Sequence, residues 1–320
     1  MGGQRGALVR PFAALFPGQG SQHPGMGKDL AAAEPAAAAV FRAADETLGF
    51  GLSALCFDGS EAELVRTEIT QPAILTVAIA AFRAFEARGG AQPAAAAGHS
   101  LGEYAAHVVA KTLSFEDAVR SVRQRGRFMQ ESVPEGQGAM AAILGLPRSA
   151  VERVCAHAAE GEIVSCANVN GPGQVVIAGH AGAVARACEA AVAAGAKRAV
   201  PLQVSAPFHC ALMEPAAERL AAVLASVRFC DPSIPVYTNV DAVPVRSAAA
   251  SRDALVRQVA SSVRWEEEVL RMAEDGIETF VEFGPGRVLS GLVRRICGSA
   301  RVVSVPDAAG LDAALRALEN

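Results

Sequence analysis

Short apolar runs of strand character alternate with Ala-rich stretches of helical length along this chain, and Gly or Pro turns fall between them. That alternation requires a largely parallel sheet with helices packed on it, so the expected class is α/β. Phe12 to Phe16 reads as a strand ending at Pro17-Gly18-Gln19-Gly20, and Ala94 to Ala97 as a second, poor by propensity. Leu101 to Ala110 reads as a helix, Ile277 to Phe283 as a strand, Val288 to Ile296 as a helix, and the tail from Asp307 as a last helix. The middle differs. Gly138 to Leu144, Ile163 to Ala167, Gln174 to Ala178 and Arg198 to Val204 read as strands, with helices over Ser149 to Ala159 and Ala181 to Ala194. That β-α-β-β-α-β order is the ferredoxin-like signature. The expectation is a large α/β-hydrolase-like domain with a parallel central sheet, residues 1–135 and 206–320, interrupted by a ferredoxin-like subdomain, residues 136–205. Ser205-Ala206-Pro207 marks the subdomain's end.

Composition closes off several function classes. The 320 residues are 51% hydrophobic, enough for a sizeable core. Lys and Arg total 29 against 33 Asp and Glu, a net charge of −4. Aromatics are 5%, with one Trp. Neither a nucleic acid nor a membrane surface is therefore expected as partner. The longest uncharged run, Ile163 to Ala185, carries Asn168, Asn170, Gln174 and His180, which suit strands and a turn better than hydrocarbon. Residues 1–15, with Arg5 and Arg10 around a short apolar patch, make a poor signal peptide. The seven scattered cysteines contain no C-x-x-C, so no disulfide framework or metal site is expected, and a cytoplasmic location is.

Chemistry concentrates at Gly98-His99-Ser100-Leu101-Gly102. A G-x-S-x-G segment places its serine on a tight strand-to-helix turn, where the glycines permit a strained backbone and close helix approach. There the free N–H groups of a helix start favour developing negative charge. Read alone, the serine is equally an ordinary helix N-cap. Of six histidines, His209 is the best base, following a strand in Pro207-Phe208-His209-Cys210. His23 and His180 sit in polar loops, His107 and His157 on helices, and the His99 side chain should point away from the serine hydroxyl. No downstream Asp has triad spacing, which leaves a backbone carbonyl to orient the base. The loop Phe16 to Gly20 offers N–H groups that, with that of Leu101, would form an oxyanion hole, although in isolation it reads first as a simple Gly/Pro turn. Arg125 lies among apolar helix positions including Phe128 and Met129, and a buried guanidinium wants a carboxylate; the alternative for it is a salt bridge on an exposed helix face. Arg120, Arg123 and Arg127 read as exposed ion-pair formers. Cys210, next to the base, reads as packing.

These segments resemble the malonyl-CoA:acyl carrier protein transacylases of fatty acid and polyketide synthesis. The similarity runs through Phe16 to Gln22, Gly98 to Ala106, Gln124 to Gln130, Asn170 to Gly179, Pro207 to Met213, Pro235 to Val240 and Val281 to Leu289, in family order. It implies an acyltransferase that takes malonyl-CoA as substrate, needs no cofactor or metal, and has a phosphopantetheinylated acyl carrier protein as partner. It implies Ser100 as nucleophile, His209 as base, and the Gln19 and Leu101 amides as oxyanion hole. Arg125 would grip the malonyl carboxylate, and Phe208 and Met129 would contact substrate. The Gln258 carbonyl would orient the histidine, and Asn168 or Asn170 would line the site. Phe208 before His209 resembles selection of malonyl over methylmalonyl. Arg127, Lys197 and Arg198 are candidates for receiving the carrier protein. The competing reading is a hydrolase that edits acyl chains on carrier proteins, which has no use for a buried cation.

Overall fold

The computed structural model describes residues 11–204 and 206–318. The patch around Arg5 and Arg10, and Ser205 at the expected boundary, lie outside the described residues. Among the described residues, ten strands form two sheets: β1 (Phe12–Phe16), β2 (Ala95–Gly98), β3 (Gly138–Leu144), β4 (Val164–Gly171), β5 (Gln174–His180), β6 (Arg198–Pro201), β7 (Val236–Tyr237), β8 (Pro244–Val245), β9 (Thr279–Phe283) and β10 (Arg301–Val305).

The larger sheet has the order β10-β9-β1-β2-β7-β8. Every neighbouring pair is parallel except β7 and β8, which are antiparallel, so the sheet is mostly rather than wholly parallel. β1 and β9 are buried at every position, as strands covered on both faces must be. That explains β2 as well. Its Ala-Ala-Ala-Gly sequence has little strand propensity, but it pairs with β1 and β7 and is buried throughout, where small side chains let helices approach. The core helix Thr67–Ala87 is long and apolar enough to cross a membrane by length and composition. Its most apolar window is 89% buried inside the protein, so packing accounts for its character.

The second sheet is antiparallel throughout, in the order β4-β5-β3-β6. The helices Arg148–Ala158 and Ala181–Ala193 fall where the β-α-β-β-α-β reading expects them. Its last strand stops at Pro201 rather than Val204: Leu202 still donates its N–H to the Met140 carbonyl on β3, but the Val204 N–H then turns back to the Leu202 carbonyl at 3.0 Å. The final helix, Ala308–Leu318, packs on β10.

Candidate active site

Ser100 sits between β2 and the helix Gly102–Val109 with a φ of 53°, in the left-handed region. The strain is carried by the serine itself. The flanking glycines serve close approach: a Cβ on Gly98 would lie 2.1 Å from the Gly102 carbonyl, and one on Gly102 would lie 2.1 Å from the Phe16 carbonyl. His209 is also left-handed, with φ 61°, in the turn before the short helix Ala211–Met213. Two non-glycine residues held this way cost on the order of 1–3 kcal/mol each, and such strain concentrates where a side chain must be aimed.

The two side chains meet. Ser100 Oγ lies 2.7 Å from His209 Nε2, and His209 Nδ1 lies 2.9 Å from the Gln258 carbonyl. A carbonyl only accepts, so Nδ1 carries the proton and Nε2 presents its lone pair to the serine hydroxyl. His209 is buried. Burial first, and the Arg125 charge second, push its pKa down to about 3, so the imidazole is neutral at physiological pH.

Arg125 comes from the helix Phe115–Glu131 and is 1% exposed. Its guanidinium donates to Gln71 Oε1 at 2.9 Å, to Gln258 Oε1 at 3.0 Å and to Ser100 Oγ at 3.1 Å. Among the described residues no carboxylate lies within ion-pair distance of it, so the carboxylate a buried guanidinium wants is not supplied by these residues. Two neutral side-chain carbonyls hold it instead. Burial pulls its pKa below the usual arginine range, while Tyr104 and Glu103 nearby act in the opposite direction.

Ser100, His209 and Arg125 open onto a cavity of about 280 Å³. Gln19, Leu101, Phe208, Met129 and Asn168 line it too. Asn170 does not; its Oδ1 lies 2.9 Å from Nε2 of His99, which does line the cavity. Along residues 100–104, the Leu101 N–H alone has no acceptor among the described residues: Ser100 donates to Asn239, Gly102 to His99, Glu103 to Ser100 and Tyr104 to Leu101. The Gln19 N–H likewise has no acceptor among the described residues, while its side chain donates to Thr67 Oγ1 at 3.4 Å.

Other expectations are adjusted. Arg120 pairs with Asp117 and Arg127 with Glu131, but Arg123 lies over the Phe50 ring, 4.6 Å from its centroid. Arg127, Lys197 and Arg198 are exposed and stand outside the cavity lining. Cys210 is buried, donates to the Pro207 carbonyl at 3.1 Å, and has its thiol pushed up to about 11 by burial, which makes it packing. All seven cysteines are free. Among the described residues no cluster of His, Cys, Asp and Glu has the makings of a metal site.

The site also contains residues that the sequence reading passed over. Gln71 holds Arg125 through its Oε1 and donates to Met129 Sδ at 3.8 Å. Met140, on β3, lines the cavity from the second sheet. Glu103, Asn239 and Glu268 form a buried polar group behind the serine. Glu103 had a signal, lying in the first turn of the helix that Ser100 precedes. Gln71 had a weaker one, a polar residue directly before the apolar run of residues 72–75.

Residues 14–311 match the model of the acyl transferase domain. The malonyl CoA-acyl carrier protein transacylase of Escherichia coli K12 is 51% identical over 304 residues, covering 95% of this chain and 98% of that protein. The chain belongs to this acyl transferase family, among the malonyl CoA-acyl carrier protein transacylases. The Bacillus subtilis 168 transacylase is 48% identical across 97% of the chain and 98% of its own length. Among solved structures, the Coxiella burnetii malonyl CoA-acyl carrier protein transacylase matches with a TM-score of 0.96 and 44% identity, covering 98% of this chain and 99% of that one. Another match, with TM-score 0.94 and 50% identity over 96% and 99%, is described as a type II PKS acyl-carrier protein in complex with its malonyl-transacylase. Membership agrees with the geometry: an activated serine at the turn after β2, facing a cavity that holds one buried cation.

Proposed function

We infer that this acyltransferase moves a malonyl group from coenzyme A to the phosphopantetheine thiol of an acyl carrier protein, through an ester on Ser100. One observation carries the reading. A single serine oxygen lies within hydrogen-bond distance of both an imidazole, at 2.7 Å, and a carboxylate-free buried guanidinium, at 3.1 Å. A guanidinium one hydrogen bond from the nucleophile suits an acyl group whose free carboxylate sits one carbon beyond the carbonyl under attack. The names of the relatives and the carrier-protein complex of one structural neighbour support the same donor and acceptor.

The steps follow from the contacts. His209 Nε2 takes the Ser100 proton as Oγ bonds to the thioester carbon. The Leu101 and Gln19 N–H groups hold the resulting oxyanion, each worth about 2.7–4 kcal/mol of barrier. The carbon–sulfur bond breaks, and the coenzyme A sulfur takes the proton from His209. The carrier thiol then gives its proton to His209 and its sulfur attacks the ester carbonyl, and Ser100 Oγ leaves with that proton. Arg125 grips the malonyl carboxylate throughout, and the Gln258 carbonyl keeps the imidazole in the required tautomer. Phe208, Met129 and Asn168 shape the space around the acyl group. A groove of about 600 Å³ shares Gln19, Val65, Gln203 and Val204 with the cavity, which gives a pantetheine arm a way in. Malonyl-CoA is consumed as substrate and coenzyme A leaves as product, and the chemistry calls for no cofactor. We place the enzyme in the cytoplasm, where seven unpaired cysteines fit a reducing compartment.

The test is incubation with malonyl-CoA, mass analysis of the Ser100 peptide, then addition of holo carrier protein. A malonyl adduct on Ser100 that moves to the carrier is expected. Release of free malonate in place of transfer would identify a hydrolase, and no adduct in the wild type beside a loaded carrier would exclude the ester route.

A further inference from the structure

The peptide N–H of the nucleophile and the side chain of Gln258 meet on a residue the steps above leave idle. Asn239 lies two residues beyond β7 and is fully buried. Its Oδ1 accepts from the Ser100 N–H at 2.7 Å and from Gln258 Nε2 at 3.0 Å. Its Nδ2 donates to the Gly98 carbonyl and to Glu268 Oε1, both at 2.8 Å. Its backbone N–H donates to Glu103 Oε2 at 2.9 Å, the same oxygen that takes Gln258 Nε2 at 2.8 Å. Both lone pairs and both amide hydrogens are thereby used, which fixes the orientation of the carboxamide. Gln258 continues the connection: its backbone oxygen meets His209 Nδ1 and its Oε1 meets Arg125.

We propose that Asn239 is a positioning residue for acyl transfer, clamping the Ser100 peptide N–H in its left-handed turn and, through Gln258, locking nucleophile, base and guanidinium into one arrangement. The proposal rests on the acyl-transfer reading above. It follows from what the position demands. The site needs two acceptor lone pairs toward Ser100 and Gln258 and two donors toward Gly98 and Glu268, and a primary amide supplies that set in one small group. An aliphatic residue would strand the Ser100 N–H beside a strained φ of 53°. A carboxylate would face the Gly98 carbonyl and join Glu103 and Glu268, both fully buried. The clamp also assigns work among the N–H groups: with that of Ser100 turned to Asn239, the oxyanion falls to Leu101 and Gln19.

The test compares wild type, Asn239→Ala and Asn239→Asp in single-turnover acylation by malonyl-CoA. Asn239→Ala should slow acylation about 100-fold, the effect of displacing a catalytic group by about an ångström. KM for malonyl-CoA should rise by less than kcat falls, because Arg125 keeps its contact with Gln71 whatever Gln258 does. Asn239→Asp keeps both acceptor contacts but sets a carboxylate against the Gly98 carbonyl and Glu268, so it should recover no more than about tenfold of the lost rate. A folded Asn239→Ala enzyme acylated within about threefold of wild type, or a loss confined to KM, would overturn the assignment. Hydrogen exchange on the wild type serves where the variants fail to fold: the Ser100 amide should exchange about 100-fold more slowly than that of Leu101. Equal exchange of the two amides would equally refute the clamp. A wild type that never acylates Ser100 would instead defeat the acyl-transfer reading, and the exchange measurement would still decide the clamp.

Discussion

Arg125 faces Ser100 with two glutamine carbonyls as its company, and this sets what the site selects. A protein carboxylate in their place would neutralise the cation and compete with an incoming acid. Gln71 and Gln258 hold the fork by its N–H groups and leave its charge for the substrate. A charge-assisted contact of this kind contributes about 1.5–3 kcal/mol, and a neutral acyl group leaves the buried guanidinium without it. Arg125→Ala should therefore lower kcat/KM for malonyl-CoA by about 10- to 150-fold while leaving acetyl-CoA nearly unchanged. Competition between the two thioesters measures it, and a preserved malonyl preference would remove Arg125 from substrate selection. His209 makes a different demand. Its folded pKa of about 3 lies below the 6.5 of a free imidazole. Between those values the unfolded chain binds a proton that the native state refuses, so stability falls as pH drops through that window, by about 1.4 kcal/mol per pH unit, and is unaffected above it. The melting temperature of wild type should thus fall more steeply with acid than that of His209→Gln. The acylation rate should show no inflection near pH 6.5, and such an inflection would mean that the base is not held neutral as described.

Two helices bring this arginine to the serine. The helix Phe115–Glu131 crosses the core helix Thr67–Ala87 so closely that a Cβ on Gly126 would lie 2.6 Å from the Thr67 carbonyl. Gly126 adjoins Arg125, and Thr67 lies one helical turn before Gln71, so the crossing also sets the Arg125–Gln71 bond. Gly126→Ala should push the helices apart at a cost of about 1–3 kcal/mol. It should raise KM for malonyl-CoA more than it lowers kcat, and an unchanged melting temperature would show that the crossing tolerates the methyl group. Neither this crossing nor its partner was legible in the sequence, because a contact between residues 54 apart leaves no local trace. What was legible is what local chemistry dictates. β1, β3 and the helix Val288–Ile296 were read to the residue, since dense apolar runs between turn formers leave little choice. β7 and β8 were not read as strands: each is two residues long and exists only through its pairing. Ser100, His209 and Arg125 stood out because their residue types are chemical. Asn239 and Glu268 did not, because a buried amide or acid is indistinguishable in a string from a surface one.

At the scale of the molecule, the cavity belongs to both sheets. Ser100, Arg125 and His209 reach it from the large sheet and its helices, and Met140, Asn168 and Leu202 from the second sheet and its exit. We propose residues 136–205 as an inserted unit, with residues 1–135 and 206–320 making the other. The seam between them is apolar and knitted by backbone. Val169 donates to the Val263 carbonyl, and Val263 to the Ala167 carbonyl, both at 2.9 Å, five residues after Gln258. Met140, Ala167, Val176 and Ala178 belong to the same buried cluster as Phe16 and Phe283. Only the opposite face of the second sheet has a core of its own, around Ile143, Val151 and Ile177. A unit that borrows half its burial from a neighbour does not keep its fold when the neighbour unfolds. The single Trp, Trp265, is fully buried two residues beyond Val263 and reports on this seam. Thermal unfolding followed by Trp265 fluorescence should coincide with that followed by far-ultraviolet circular dichroism, which sees the helices and strands of both units. If the dichroism retained a second transition after the fluorescence had finished, the inserted unit would stand alone. The Met140 and Asn168 walls of the site would then move independently of the nucleophile.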